Sequence, residues 1–152
     1  MDRKRVQGFT MIELVVVIVL LGLLAAVALP KFADLAVEGR AAALSGTRGG
    51  FSAAVQIAHA KWLAGGSGAA GPISLDGSTT VQMNAAGWPT VDAANTGQDT
   101  ATELYALLMS QPLPSNWTSS EVAAAGAGTA SFTLAGNGGG SFSYNAATGA
   151  VN

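Results

Sequence analysis

Cysteine is absent from the chain of 152 residues, and charge is scarce. Without cysteine there are no disulfide bonds, no thiolate metal sites and no cysteine nucleophiles. Only 11% of the residues are charged, whereas typical soluble domains carry roughly 25%. The length leaves room for one domain, or for one domain and an anchor, so we expect no multidomain organisation.

Positive charge is confined to the N-terminal part of the chain. The seven basic residues are Arg3, Lys4, Arg5, Lys31, Arg40, Arg48 and Lys61. The stretch from Trp62 to Asn152 contains five acids and no lysine or arginine. A region without these residues cannot neutralise phosphates, so we expect no nucleic-acid binding there. His59 is the single histidine, too little for a histidine metal cluster, and we expect it to serve in packing or at the solvent edge.

A long apolar run, Phe9 to Leu29, follows the basic leader segment and is interrupted only by Thr10 and Glu13. As a helix, its 21 residues would span about 32 Å, which matches the hydrocarbon core of a bilayer. Arg3 to Arg5 lie immediately before the run. Because such basic residues stay on the cytoplasmic side, the chain after Leu29 should be exported.

Two ordinary interpretations of this run compete. It fits a secretory signal peptide, with Ala26-Val27-Ala28 as its A-x-A cleavage site, and it fits a plain single-pass anchor. Neither explains Glu13, because a carboxylate inside an apolar run is costly and usually marks a function that needs a partner. Cleavage after Gly8 would create such a partner, the α-amine of Phe9, four residues away.

Residues 8–17, which read GFTMIELVVV, resemble the prepilin signature of type IV pilins and pseudopilins, G-F-T-x-x-E-L before an apolar helix. The resemblance implies that a membrane peptidase cuts after Gly8 and N-methylates Phe9. It also implies that Glu13 pairs with the N-terminal amine of a neighbouring subunit during assembly. Pro30 falls where type IV pilins commonly carry a proline that kinks or loosens the helix.

A nearer likeness is to pilins of the mannose-sensitive haemagglutinin type. The short motifs that carry it are Val15–Val17, Pro30–Phe32, Gly87–Thr90 and Phe142–Gly149. Many pilins of this kind have a C-terminal disulfide loop, which the lack of cysteine excludes here. The C-terminal edge is then expected to be held by packing or by neighbouring subunits.

The helix is predicted to continue from about Lys31 to Leu63. Apolar residues at helical spacing form one stripe that should hold a small sheet, and these residues are Val37, Leu44, Phe51, Val55, Ala58 and Trp62. Glycines at 39, 46, 49 and 50 weaken the helix. Two interpretations stay open: a flexible or broken helix, or a row of small residues, Ala42, Gly46 and Gly50, that lets another helix approach.

The remainder predicts short elements. A glycine-rich loop, Gly65 to Gly71, ends the helix, and a hairpin pairs Ile73–Leu75 with Thr79–Met83. A short helix is expected over Asp99–Ser110, started by an Asp or Thr cap. Two strands follow, at Ser131–Leu134 and Ser141–Tyr144.

Two further patterns are weak. Gly66 to Gly71 spells G-x-G-x-x-G, but it follows a helix and is closed by Pro72, so no dinucleotide site is expected. Asp76, Asp92 and Asp99 are candidate calcium ligands, since aspartates bind calcium in the major pseudopilins of type II secretion, but their spacing matches no calcium-loop motif.

Together these features predict an α+β protein with the type IV pilin fold, in which a long N-terminal helix packs on a small antiparallel sheet beside a short second helix. The expected segments are a cleaved leader at 1–8, a transmembrane and filament-core half-helix at 9–29, an amphipathic half-helix at 30–64 and a globular head at 65–152. No cofactor, metal or catalytic residue is expected.

The expected role is a structural subunit, held in the inner membrane before assembly and displayed on the cell surface in a pilus afterwards. Its expected partners are further copies in a helical filament, the inner membrane, a prepilin peptidase and the pilus assembly machinery. The alternatives are a pseudopilin of a type II secretion or DNA-uptake system and, more remotely, a secreted binding protein with an ordinary signal peptide or a membrane enzyme.

Overall fold

The computed structural model describes residues 8–66, 68–91, 100–122, 124, 127–136 and 138–152. Its elements, in chain order, are α1 (Met11–Ala64), β1 (Gly71–Ser74), β2 (Thr80–Met83), α2 (Ala101–Met109), β3 (Trp117–Val122), β4 (Thr129–Leu134), β5 (Ser141–Asn145) and β6 (Ala150–Val151). The chain divides into two compact units, Met1–Glu38 and Gly39–Asn152, and α1 contributes residues to both. The predicted α+β arrangement of a long N-terminal helix, a short second helix and antiparallel sheets is confirmed.

Helix α1 is continuous, although four glycines and a proline lie within its span after Leu29. It runs for 54 residues and contains Pro30 in its interior, so the predicted continuing helix is confirmed and, of the two interpretations of its glycines, a broken helix is wrong. The small-residue row is used at one position: a Cβ at Gly50 would lie 3.2 Å from Met109 Cε of α2, whereas Gly46 faces open space. Gly50 therefore allows the Met109 side chain a close approach to α1.

Within the second unit, the predicted apolar stripe of α1 forms one wall of the core. Phe51, Val55 and Ala58 are fully buried, and Leu44 and Trp62 pack against them half-buried. The expectation for Val37 is wrong, because this side chain lies in the first unit and is 42% exposed.

The wall opposite the helix is a four-stranded antiparallel sheet in the order β3-β4-β5-β6. Along β4 and β5, apolar and polar residues alternate, so that one face is buried. The buried residues of these two strands are Ala130, Phe132, Leu134, Phe142 and Tyr144. The predicted strands β4 and β5 are confirmed, and β6 pairs with β5 through Tyr144↔Val151 and Asn145↔Ala150. The C-terminal edge is thus held by strand pairing in place of a disulfide.

Two buried polar contacts tie the loops around β2 and β5 together. The Tyr144 hydroxyl donates to the carbonyl oxygen of Pro89 at 2.7 Å, and Asn84 Nδ2 donates to the carbonyl oxygen of Ala146, also at 2.7 Å. Burial raises the pKa of Tyr144 far above its usual 10, so its hydroxyl stays protonated and able to donate. Each contact satisfies a group that would otherwise be costly to bury.

Helix α2 begins at a threonine cap, as predicted. Thr100 Oγ1 accepts a hydrogen bond from the Glu103 backbone N–H at 3.2 Å, and the Ala101 N–H donates to Glu121 Oε2 of β3 at 3.2 Å. Leu104 and Leu108 are buried, and Leu107 is partly buried against the same core. Asp99, the other candidate cap, lies outside the described residues.

The predicted hairpin is also confirmed, with β1 and β2 pairing antiparallel from Gly71↔Met83 to Ser74↔Thr80. Asp76 organises its turn: Oδ1 accepts from the backbone N–H groups of Ser78 at 2.9 Å and Thr79 at 2.6 Å. These bonds favour the ionised carboxylate and hold the pKa of Asp76 well below its usual 3.8.

Replacing Asp76 with asparagine is expected to lower the urea midpoint of the full chain at pH 7. A depressed carboxyl pKa contributes stability above the unfolded value, about 3.9, and that contribution disappears as the pH falls through the lower folded value. The difference between wild type and Asp76→Asn should therefore shrink below about pH 4. The matched control is Asp34→Asn, an exposed acid of the first unit. A difference that stayed constant from about pH 7 to about pH 2 would contradict this account.

Candidate functional site

The start of α1 is built by two polar side chains, Thr10 and Glu13. Thr10 precedes the first helical residue, and its Oγ1 accepts a hydrogen bond from the Glu13 backbone N–H at 3.3 Å. In return, Glu13 Oε2 accepts from the Thr10 backbone N–H at 2.8 Å and from Thr10 Oγ1 at 2.7 Å. This reciprocal arrangement is a capping box, which satisfies backbone donors that a helix leaves open at its N-terminus.

The predicted processing residues lie directly before this box. A Cβ at Gly8 would meet no atom within 4 Å among the described residues, and the Phe9 side chain is 93% exposed. Gly8, Phe9 and Glu13 thus lie within six consecutive residues, and Gly8 and Phe9 are accessible. Pro30 is 17 residues beyond Glu13, about 26 Å along the helix, so it does not belong to the same site.

An apolar surface surrounds the helix after the box. Every large apolar side chain from Phe9 to Val37 is at least 42% exposed, and the first part of α1 is long and apolar enough to cross a membrane. Exposed apolar surface on this scale indicates a membrane or protein contact. Glu13 is the single ionisable side chain between Phe9 and Leu29.

His59 packs against aromatic rings, which is one of the two roles expected for it. Its ring stacks on Trp88 with ring centroids 3.9 Å apart and lies 6.0 Å from Trp62. Nδ1 lies 2.6 Å from the carbonyl oxygen of Gly87, so Nδ1 carries the proton and donates it. Gly87 has a φ of 79°, and a Cβ there would overlap the Trp62 ring. A glycine is therefore required where this loop crosses the helix.

The remaining sequence patterns form no site among the described residues. The loop after α1 borders a cavity of about 260 Å³ with Trp62, but it leads into strand β1 instead of a helix N-terminus, unlike a dinucleotide loop. The Asp76 carboxylate is engaged by its own turn, while Asp92 and Asp99 lie outside the described residues. The part of the chain that the structure describes holds no cluster of three His, Asp or Glu suited to a metal.

The capping box was not recognised in the sequence, although its signal is present. Thr10 and Glu13 stand in the pattern T-x-x-E directly before an apolar helix, which is the signature of such a box. The position of Glu13 within an apolar run predicts a partner in another molecule, whereas the structure also gives it one in its own chain.

Comparison with known proteins finds similarity to type IV pilins. The family model of the prokaryotic N-terminal methylation motif matches residues 3–29. The type IV narrow pilus major component PilA5 of Thermus thermophilus is 45% identical over 56 residues. That match covers 37% of this chain and 45% of PilA5, less than half of either protein. No solved structure matches the chain. The two matches support a type IV pilin-like protein.

Proposed function

We propose that the protein is a major structural subunit of a type IV pilus. In this proposal the apolar helix holds the prepilin in the inner membrane, a prepilin peptidase cuts after Gly8 and methylates Phe9, and the subunit then enters a surface filament for adhesion or motility. The assembly machinery and further copies of the chain are its partners. The proposal assigns no catalytic residue, cofactor or metal.

The observation that carries the proposal is the combination of an accessible Gly8–Phe9 bond with an unshielded apolar helix. The large apolar side chains from Phe9 to Val37 are all substantially exposed in the single chain. Burying each such side chain is worth about 1.5–3 kcal/mol, so a segment drawn out of a bilayer needs another apolar shelter. The same segment of other copies is available, and a head-to-tail contact that does not close produces a helical fibre.

The first test is the mature N-terminus. When the full chain is produced in a host that carries a prepilin peptidase, mass spectrometry is expected to find a chain that begins at methylated Phe9. Gly8→Leu is the matched control and should keep residues 1–8, because a bulky side chain replaces the residue at the cut. A mature chain that begins at Leu29 would contradict the proposal and support a secreted protein with an ordinary signal peptide.

A pseudopilin of a secretion or DNA-uptake system would give the same mature N-terminus, so a second measurement separates it. Sheared fibres collected from the cell surface and identified by mass spectrometry support a pilus. Correct processing without surface fibres would favour the pseudopilin.

A further inference from the structure

The two oxygens of the Glu13 carboxylate differ in the hydrogen bonds that they accept within the described residues. Both hydrogen bonds from Thr10, at 2.8 Å from its N–H and 2.7 Å from Oγ1, end on Oε2. Among the described residues, Oε1 receives no hydrogen bond. One oxygen is thereby fixed by the start of the helix, and the other stays available to a partner.

This arrangement addresses the main difficulty of an acid inside an apolar segment. A carboxylate in such surroundings is costly unless hydrogen bonds satisfy it, and bonds to an ionised acceptor are the strong kind. Thr10 supplies two such bonds from one residue. They also restrict the rotamers of the Glu13 side chain before any partner arrives, which lowers the conformational entropy lost on pairing.

We propose that Thr10 is a positioning residue for subunit assembly: it holds Glu13 Oε2 at the helix start, so that Oε1 is presented to the α-ammonium of a processed N-terminus. The inference rests on the proposed function, because it assigns Thr10 a part in the pairing of Glu13. It assigns Thr10 no contact with the ammonium and no role in the peptidase reaction.

Three variants separate positioning from capping. Thr10→Val keeps the shape and the Glu13 charge but removes the hydroxyl, so both bonds that Thr10 Oγ1 makes in the box are lost. Thr10→Ser restores the hydroxyl. Glu13→Gln removes the charge but keeps a residue that capping boxes accept. As a control, Thr47→Val makes the same chemical change as the first variant elsewhere on α1.

The measurement is competitive incorporation. Each tagged full-length variant is produced in the same cells as the untagged wild type. The incorporation ratio is the variant's fraction of the subunits in sheared filaments, divided by its fraction of the processed subunits in the membrane. We expect about a tenfold lower ratio for Thr10→Val, the size of effect that one lost charge-assisted hydrogen bond produces. Thr10→Ser and Thr47→Val should match wild type. Adding Thr10→Val to Glu13→Gln should lower the ratio no further, because Thr10 acts through Glu13.

A second measurement tests the contact without filaments. In processed full-length protein in lipid nanodiscs, the ¹³Cδ signal of Glu13 should shift in Thr10→Val and return in Thr10→Ser. If the wild type forms no filament but the shift is seen, the proposed function is wrong, whereas the hydrogen bond between Thr10 and Glu13 is supported. An unchanged signal, normal incorporation of Thr10→Val, or additive losses in the double variant would each overturn the positioning role.

Discussion

Glutamine in place of Glu13 is expected to reduce incorporation into filaments by about 100-fold or more. In the proposed filament Glu13 pairs with the α-ammonium of a neighbouring subunit, and removing one partner of a buried ion pair is strongly destabilising. The loss should be large because the neighbour's ammonium would remain buried without its counter-charge. The measurement is the share of tagged Glu13→Gln in filaments formed beside wild-type subunits, relative to its share in the membrane.

The control for this experiment is Glu38→Gln, the same substitution at an exposed acid of the same helix. It should incorporate normally. Processing of both variants at Gly8 is measured in the same samples, so that a defect in cleavage is not mistaken for one in assembly. Normal incorporation of Glu13→Gln would rule out the pairing, even if the mature N-terminus is methylated Phe9.

Truncation of Phe51 to alanine is expected to lower the free energy of unfolding of the second unit by about 3–5 kcal/mol. Phe51 is fully buried, and its ring centroid lies 5.2 Å from that of Phe132, 5.6 Å from Phe142, 5.7 Å from Tyr144 and 6.1 Å from Tyr105. The variant therefore removes the side chain at which helix, sheet and α2 meet. Domains of ordinary stability have about 5–15 kcal/mol in total, so the second unit would become marginally stable.

The matched control is Ile57→Ala, which truncates an exposed side chain further along the same helix. Urea unfolding of the full-length variants in detergent, followed by near-ultraviolet circular dichroism, compares the two. Ile57→Ala should cost less than about 1 kcal/mol, as surface substitutions usually do. If Phe51→Ala cost no more than this control, the aromatic cluster would not be the centre of the fold.

The elements that the sequence predicted correctly are those with a strong local signal. Helix α1 has a long apolar run followed by a stripe at helical spacing, and the hairpin has its turn at Asp76-Gly77-Ser78. Helix α2 has a threonine cap and apolar residues on one face. Each of these signals is local in the chain, so no knowledge of the tertiary structure was needed.

The missed elements depend on partners that are distant in sequence. Strand β3 reads WTSSEV, of which only Trp117 is buried, and it becomes a strand by pairing with β4. Strand β6 has two residues and no pattern of its own. The glycines of α1 suggested a break, but local propensity was outweighed by the burial of Phe51, Val55 and Ala58.

The candidate site also has residues that the sequence predicts and contacts that only the structure shows. Gly8, Phe9 and Glu13 are predicted from their spacing and from the family resemblance, and their roles stay predictions, whereas the bonding of Oε2 to Thr10 required the three-dimensional structure. The stack of His59 on Trp88 was equally out of reach, because the two residues are 29 positions apart and meet only when the loop after β2 crosses α1.

The stack also gives the protein its own optical labels. Of the three tryptophans, Trp62 and Trp88 flank His59, while Trp117 lies in the aromatic core, 5.8 Å from the Phe142 ring. Trp117→Phe therefore leaves emission from the stack alone, and the double replacement of Trp62 and Trp88 leaves emission from the core alone. A change in the tryptophan emission spectrum that is seen in Trp117→Phe but not in the double variant would locate a rearrangement at the crossing of the loop and α1. No dye needs to be attached for this measurement.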